Sequence, residues 1–112
     1  MLDIQNNGGI PEVHPLEVNK HHKDLRVIDV RRSEEFTGEL GHIPGAELVT
    51  LGPELVRFLE NGARDELIVF VCLAGGRSAQ ATAAALQLGF TSVVNMTGGM
   101  KLWNDLGLPT EK

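Results

Sequence analysis

The chain has 112 residues, of which 42% are hydrophobic and 22% are charged, values typical of one globular domain and not of a disordered chain. Ten Lys and Arg against 15 Asp and Glu give a formal net charge of -5, which argues against general binding to nucleic acid or to an anionic membrane. Cys72 is the single cysteine, so no internal disulfide can form. Since the N-terminus lacks a signal-peptide pattern, we expect a reducing, cytoplasmic location.

The first half of the chain alternates between extended and helical patterns. Residues 1–9 are polar and rich in Gly and Asn, which predicts a flexible lead-in, and residues 10–110 are expected to form a single domain. A short extended piece and a helix are predicted within residues 10–22. Residues 25–30 are apolar and β-branched, as expected of a buried strand, and a brief helix follows near Ser33.

The second half carries the stronger signals. In chain order we predict a short strand at residues 47–49, a helix ending at Gly62, a buried strand at residues 66–72, a helix ending at Gly89, a strand at residues 91–96 and a last helix at residues 99–107. Strands that alternate with helices predict an α/β fold, with a parallel sheet of about five strands flanked by helices on both faces. Ligands bind such sheets at the carboxyl ends of the strands, and Cys72 stands at one of those ends.

The segment CLAGGRS, Cys72 to Ser78, has features that make a cysteine reactive. An isolated cysteine is most often a small buried apolar residue, and this alternative stays open here. Against it, the backbone N–H groups of the loop can turn toward the sulfur, since Gly75 and Gly76 reach positive φ at no steric cost. The helix N-terminus and Arg77 add positive charge, which stabilises a thiolate. We therefore predict an anion pocket with a nucleophile at its floor.

Three segments resemble the rhodanese-type sulfurtransferase family. CLAGGRS is similar to its active-site loop, in which four residues separate the cysteine from an arginine. Residues 27–46 resemble the paired N-terminal signatures of the family, and residues 98–103 resemble the C-terminal one. The resemblance runs from about residue 12 to residue 109, with the motifs in the expected order.

The resemblance implies a single rhodanese-like domain that transfers sulfane sulfur through a persulfide on Cys72, with Arg77 as its catalytic partner. The donor would be a small anion such as thiosulfate or another persulfidic compound, and the acceptor would be cyanide or a thiol on a small molecule or protein. No metal or organic cofactor is implied. The implied substrate-binding loop residues are Leu73, Ala74, Gly75, Gly76 and Ser78. Leu73 stands where many family members have a basic or polar residue, which predicts a weaker attraction for thiosulfate.

Two other functions stay open. A rhodanese-like module could bind a partner or sense an oxidant without turnover, although family members of that kind commonly lack the cysteine. A cysteine-dependent phosphatase is less favoured, because such enzymes place the arginine six positions after the cysteine. Here Arg77 is five positions after Cys72.

A few polar residues outside the loop receive weaker predictions. Asp29 and Arg31 lie just past a predicted strand end, on the same edge as Cys72, and are candidates for substrate binding. Asp29 is expected to hydrogen-bond neighbouring loops, and Arg31 either lines the pocket or forms a surface salt bridge. His42 is expected to hold its loop through hydrogen bonds. No cysteine or spaced acidic cluster accompanies the histidines, so no metal site is predicted.

Overall fold

One mixed sheet organises the chain in the computed structural model, which describes residues 2–112. Within those residues its six strands are β1 (Ile4–Asn7), β2 (Ile10–Val13), β3 (Arg26–Asp29), β4 (Glu47–Leu48), β5 (Ile68–Val71) and β6 (Val93–Met96). Their order is β1-β2-β6-β5-β3-β4, and each neighbouring pair is parallel except β1 with β2. The predicted α/β class and its five parallel strands are confirmed, and β1 adds a sixth strand.

Helices lie on both faces of the sheet, as predicted. They are α1 (Pro15–His21), α2 (Ser33–Phe36), α3 (Pro53–Asn61), α4 (Gly76–Gln87) and α5 (Gly99–Asp105), with a 3₁₀ turn at His22–Asp24. All four residues of β5 are buried, because alternate side chains enter opposite cores. Ile68 and Phe70 pack with residues of α3 and α4, whereas Val69 and Val71 pack with residues of α1 and α5.

The N-terminal segment differs from the flexible lead-in predicted for residues 1–9. Strand β1 pairs with β2, and Gly8 and Gly9 form a two-residue hairpin turn with φ of +60° and +90°. All four β1 residues are exposed, so backbone pairing rather than burial holds the strand, and a purely apolar criterion misses it. The Gly-Gly pair between two extended segments was the available signal. Met1 lies outside the described residues, and a single domain over residues 10–110 stays a prediction.

The sheet topology brings three loops to one edge. Parallel strands β3, β5 and β6 are neighbours, so the segments that follow Asp29, Val71 and Met96 leave the sheet at the same side. The loop of Cys72 comes from the middle one of these three strands. No helix within residues 2–112 has the length and apolar character needed to cross a membrane.

Candidate functional site

Cys72 follows β5 directly, at the carboxyl end of the strand as predicted, but it is more deeply buried than the predicted pocket implied. Its residual exposure is 1%, and it belongs to the core shared by the sheet, α3 and α4. The predicted anion pocket with a nucleophile at its floor is therefore closed to solvent in this structure. Both faces of β5 are buried, and the burial continues to Cys72, one residue past the strand. The loop therefore covers the sulfur.

Backbone N–H groups of the loop converge on that sulfur. The Gly75 nitrogen lies 3.0 Å from Sγ of Cys72 and donates to it. The amides of Ala74 and Ser78 also help to lower the pKa of this thiol. The Ser78 hydroxyl oxygen lies 3.2 Å from Sγ. Amides at the start of α4 have no partner within the helix, so they are free to hold an anion. The sequence predicted inward-facing amides over residues 73–76, of which Gly75 and Ala74 act on the sulfur, and it did not predict that of Ser78.

The nearby carbonyl groups turn away from the sulfur toward the first turn of α5. Met100 N donates to the Cys72 carbonyl at 2.8 Å, and Lys101 N donates to the Leu73 carbonyl at 2.9 Å. Gly99, with φ of +58°, packs so closely that a Cβ there would collide with the Cys72 carbonyl oxygen. The start of α5 thus fixes the orientation of both peptide groups and leaves the amide side of the loop toward the sulfur.

These contacts favour the charged form of the thiol. Burial opposes ionisation of Cys72, but hydrogen bonds from the Ser78 hydroxyl and from the amides of Ser78, Gly75 and Ala74 outweigh it, so the pKa of Cys72 lies below its ordinary value. A lowered pKa raises the thiolate fraction at neutral pH, and the thiolate is the form that attacks. The arrangement therefore provides a stabilised sulfur nucleophile.

Of the two loop glycines expected to reach positive φ, Gly75 does so. Its φ is +108°, whereas Gly76 is not among the glycines with positive φ and begins α4 in ordinary helical geometry. The prediction for Gly76 is therefore wrong, and Gly75 alone makes the turn that aims its own N–H at Sγ.

Replacing Gly75 with alanine should consequently disturb both the fold and the sulfur. We expect G75A to lower the free energy of unfolding by about 1–3 kcal/mol through backbone strain, and to raise the pKa of Cys72. G76A is the matched control, because a Cβ at Gly76 meets no atom within 4 Å. Its unfolding free energy should change by about 1 kcal/mol or less. Urea denaturation and the pH dependence of Cys72 alkylation measure both effects, and equal losses in the two variants would contradict this assignment.

Arg77 carries an ion pair that the sequence did not predict. Its two terminal nitrogens lie 2.7 Å and 2.9 Å from the two carboxylate oxygens of Glu35, which α2 supplies from 42 positions earlier in the chain. The Arg77 hydrogen bonds outweigh burial and hold the pKa of Glu35 at about 2, so this group stays ionised at neutral pH. The pair borders a cleft of about 460 Å³. Its remaining lining residues are Val30, Arg32, Thr50 and Leu51.

Asp29 and Arg31 form a buried pair behind the loops. Both side chains are 1% exposed, and the Arg31 guanidinium donates to both carboxylate oxygens of Asp29 and to the Gly41 carbonyl. Asp29 bonds to Arg31, two residues on, and it is Arg31 that reaches the neighbouring loop at the Gly41 carbonyl. The surface salt bridge considered for Arg31 is wrong, because both side chains are buried. All of these donors bind protein groups, which makes the pair a support for the site. A role of either residue in substrate binding stays a prediction.

One further side chain, His42, has the role expected of it, and another, Asn95, was not predicted. His42 Nδ1 is 2.8 Å from the Phe36 carbonyl oxygen and its ring stacks on Phe36, so His42 holds its loop. Asn95 is different, because the sequence analysis did not single it out. It is 2% exposed on β6 and contacts Ser78. A polar residue inside a fully buried strand was the signal that could have identified it.

Within residues 2–112 no three His, Cys, Asp or Glu side chains gather as metal ligands would.

Comparisons with known proteins agree with this geometry. The model of the rhodanese-like domain family matches residues 13–106. A putative sulfur carrier protein, YrkF of Bacillus subtilis, is 36% identical over 103 residues, which cover 88% of this chain and 54% of that protein. The chain therefore spans about half the length of this relative. Thiosulfate sulfurtransferase 16, chloroplastic, of Arabidopsis thaliana is 37% identical over 98 residues, covering 77% of this chain and 79% of that protein.

A solved structure from Rhodopseudomonas palustris, described as a protein of unknown function and a possible tyrosine phosphatase, shares the fold. Its TM-score is 0.81 and its sequence identity 28%, with 94% of this chain and 87% of that chain covered. The family match covers most of the chain and includes the loop from Cys72 to Ser78. The resemblance inferred from the sequence is thereby confirmed, and the chain belongs to the rhodanese-like domain family.

Proposed function

We propose that this protein transfers sulfane sulfur through a persulfide on Cys72. The observation that carries the proposal is the hydrogen bond from the Gly75 amide to Sγ, while the Cys72 and Leu73 carbonyls bond to α5. The amides of Ala74 and Ser78 help to lower the pKa of the same thiol. Such a ring of donors stabilises a negatively charged sulfur before and after transfer. Membership of a family with relatives named as sulfurtransferases supports the same class of reaction.

In the first half of the reaction, the Cys72 thiolate attacks the outer sulfur of the donor. With thiosulfate, the new bond joins Sγ to the outer sulfur, the S–S bond of the donor breaks, and its electron pair leaves with sulfite. The product is the persulfide anion on Cys72, so the total charge is conserved. The loop amides hold charge on sulfur at both stages, and the scheme requires no metal or organic cofactor.

In the second half, an acceptor removes the outer sulfur and regenerates the Cys72 thiolate. Cyanide would leave as thiocyanate, and a thiolate acceptor would leave as a persulfide. Because Cys72 is the only cysteine in the sequence, no second thiol of this chain can resolve the persulfide. The natural acceptor is therefore an external thiol, on a small molecule or on a protein. A cytoplasmic location of this protein stays a prediction.

The pair of Arg77 with Glu35 bears on the choice of donor. An anionic donor that uses Arg77 has to displace the Glu35 carboxylate or bind beside its negative charge. Leu73, which is half-buried next to the reactive sulfur, offers no positive charge in compensation. Both features favour a donor of low charge, such as an organic persulfide, over the thiosulfate dianion.

A second candidate is a module that binds a partner or senses an oxidant without turnover, and the burial of Cys72 favours its binding form, since an oxidant would also have to reach the sulfur. At 1% exposure, the sulfur can meet a donor only if the loop of residues 73–77 moves. A binding module needs no such movement. The phosphatase alternative is less favoured, since the spacing between Cys72 and Arg77 is one residue shorter than such enzymes use.

Mass spectrometry of Cys72 after incubation with thiosulfate or with an organic persulfide separates the two candidates. We expect the wild-type protein to gain the mass of one sulfur atom, and R77A to gain it about 100-fold more slowly, because a charge that attracts the donor is lost. E35Q, which frees Arg77, should react faster with thiosulfate than the wild type does.

The matched control is R57A, which removes an exposed arginine from α3 and should react at the wild-type rate. A folded wild-type protein that gains no sulfur from either donor would favour the binding module. Equal rates for R77A and R57A would remove Arg77 from its assigned role.

A further inference from the structure

Three buried side chains form a row that begins at the reactive sulfur. Cys72 is 1% exposed, Ser78 is fully buried, and Asn95 is 2% exposed. The Ser78 hydroxyl oxygen lies 3.2 Å from Sγ of Cys72 and also within hydrogen-bond distance of Oδ1 of Asn95. Sequence reasoning assigned a role to the first two residues and none to Asn95.

The surroundings of Asn95 fix which way its amide points. Its Nδ2 lies 3.1 Å from Oε2 of Glu12 and 3.3 Å from the Gly75 carbonyl oxygen. A carboxylate and a carbonyl can only accept, so the NH₂ group must face them. The carbonyl oxygen Oδ1 therefore faces Ser78, where it requires a donor, and the Ser78 hydroxyl is the group in position to supply one.

Ser78 has a single hydroxyl proton and three acceptors within reach of it: Sγ of Cys72 at 3.2 Å, the Gly75 carbonyl oxygen at 3.3 Å and Oδ1 of Asn95. While Cys72 is a thiol, the chain is complete, because S–H can donate to Ser78 Oγ and Ser78 can donate to Asn95 Oδ1. Once Cys72 is a thiolate, no S–H remains. Ser78 must then turn to the sulfur and leave Asn95 Oδ1 buried without a donor, or keep Asn95 and withhold its proton from the sulfur. Either choice penalises the charged sulfur.

We propose that Asn95 is a positioning residue that restrains ionisation of Cys72 by competing with the sulfur for the Ser78 hydroxyl proton. Glu12 serves as the anchor that keeps the Asn95 amide in the required orientation. The loop amides and Asn95 thus act in opposite directions, and the balance sets how much thiolate the protein carries. The inference concerns the ionisation of Cys72 and does not depend on sulfur turnover.

The charged groups near this row belong to several elements. They are Arg77 on α4 with its partner Glu35 on α2, Glu12 on β2, the Asp29–Arg31 pair at the end of β3, and Lys101 on α5, whose backbone nitrogen binds the Leu73 carbonyl. The positive charge of Arg77 favours the thiolate. The negative charge of Glu12 is separated from the sulfur by Asn95. Replacing Asn95 leaves every one of these charges in place. A shift of the Cys72 midpoint in an Asn95 variant can therefore be separated from the effects of these charges by comparing single and double variants.

The test measures the rate of Cys72 alkylation by iodoacetamide against pH in four proteins: wild type, N95A, S78A and N95A/S78A. In N95A the Ser78 proton no longer binds Asn95, and a thiolate attracts it more strongly than the neutral Gly75 carbonyl does. The midpoint should therefore fall by about 0.5–1 pH unit, the equivalent of one neutral hydrogen bond. In S78A the midpoint should rise, since a donor is lost. In the S78A background, removal of Asn95 should produce no further shift.

A midpoint in N95A that is unchanged or raised would overturn the proposal. So would an equal fall in both backgrounds, because Asn95 would then act through Glu12 or through a looser loop. N95L, which also removes the acceptor but fills the space, replaces N95A if the alanine variant does not fold. T82V is the matched control, since Thr82 is buried on the same helix and its hydroxyl donates to the Ser78 carbonyl at 2.8 Å. Its midpoint should equal that of the wild type.

This test uses no sulfur donor, so its outcome is independent of the proposed sulfurtransferase activity. A protein that never accepts sulfur from a donor can still show the non-additive shift. Conversely, a protein that forms the persulfide readily can show midpoint shifts in N95A and S78A that add up in the double variant. In that case the proposal for Asn95 fails and the proposed sulfur transfer stands.

Discussion

Replacing Cys72 with serine is expected to abolish sulfur transfer and the gain of sulfur mass, with residual activity about 1,000-fold or more below that of the wild type. The serine hydroxyl stays protonated at neutral pH and offers no sulfur on which a persulfide could form. Because Cys72 is the only cysteine in the sequence, no other thiol can take over the reaction.

The serine variant is also expected to remain folded, which makes its loss of activity interpretable. Its oxygen is smaller than sulfur and meets the same amides of Ala74, Gly75 and Ser78, so a buried polar atom still finds donors. Steady-state sulfur transfer, mass spectrometry and urea denaturation provide the three readouts. Retention of wild-type turnover in C72S would mean that the reaction does not pass through this sulfur.

Replacing Arg31 with alanine should have the largest effect on stability, lowering the free energy of unfolding by about 3–5 kcal/mol. The variant leaves the Asp29 carboxylate 1% exposed without its cation, and the Gly41 carbonyl loses a donor. A buried charge without a partner is among the most costly features a fold can carry. Chemical denaturation monitored by circular dichroism measures the loss.

Two controls decide whether burial of the charge is the cause. R26A removes an arginine whose side chain is 35% exposed, and solvent screening should limit its cost to about 1 kcal/mol or less. The double variant D29L/R31M removes both charges from the buried site and should be more stable than R31A. A loss in R31A no larger than that in R26A would contradict the burial argument, as would a double variant less stable than R31A.

Much of the architecture is predictable because it depends on local patterns. The uninterrupted apolar run before Cys72 predicts a strand covered on both faces, and Ile68–Val71 is such a strand. Glycine marks the end of α3 at Gly62, as expected. The carboxyl-end position of Cys72 follows from these elements alone. Strand β1 was missed because its residues are all exposed and its order comes from pairing with β2.

The parts of the site that were not predictable depend on distant pairs. Glu35 lies 42 positions before Arg77, and Glu12 lies 83 positions before Asn95. No periodicity relates such residues, because only the folded sheet brings their strands and helices together. The depth of Cys72 is of the same kind, since it depends on how α4 covers the end of β5.

The dependence of the sulfur loop on the first turn of α5 bears on any attempt to transplant this chemistry. Met100 and Lys101 hold the Cys72 and Leu73 carbonyls, and Gly99 is the residue that lets the two backbones approach. A graft of CLAGGRS into another scaffold would carry the nucleophile but not the brace that keeps its peptide oxygens at a distance. Protein engineers would need to move two stretches as one unit, although twenty residues, 79–98, separate them along the chain.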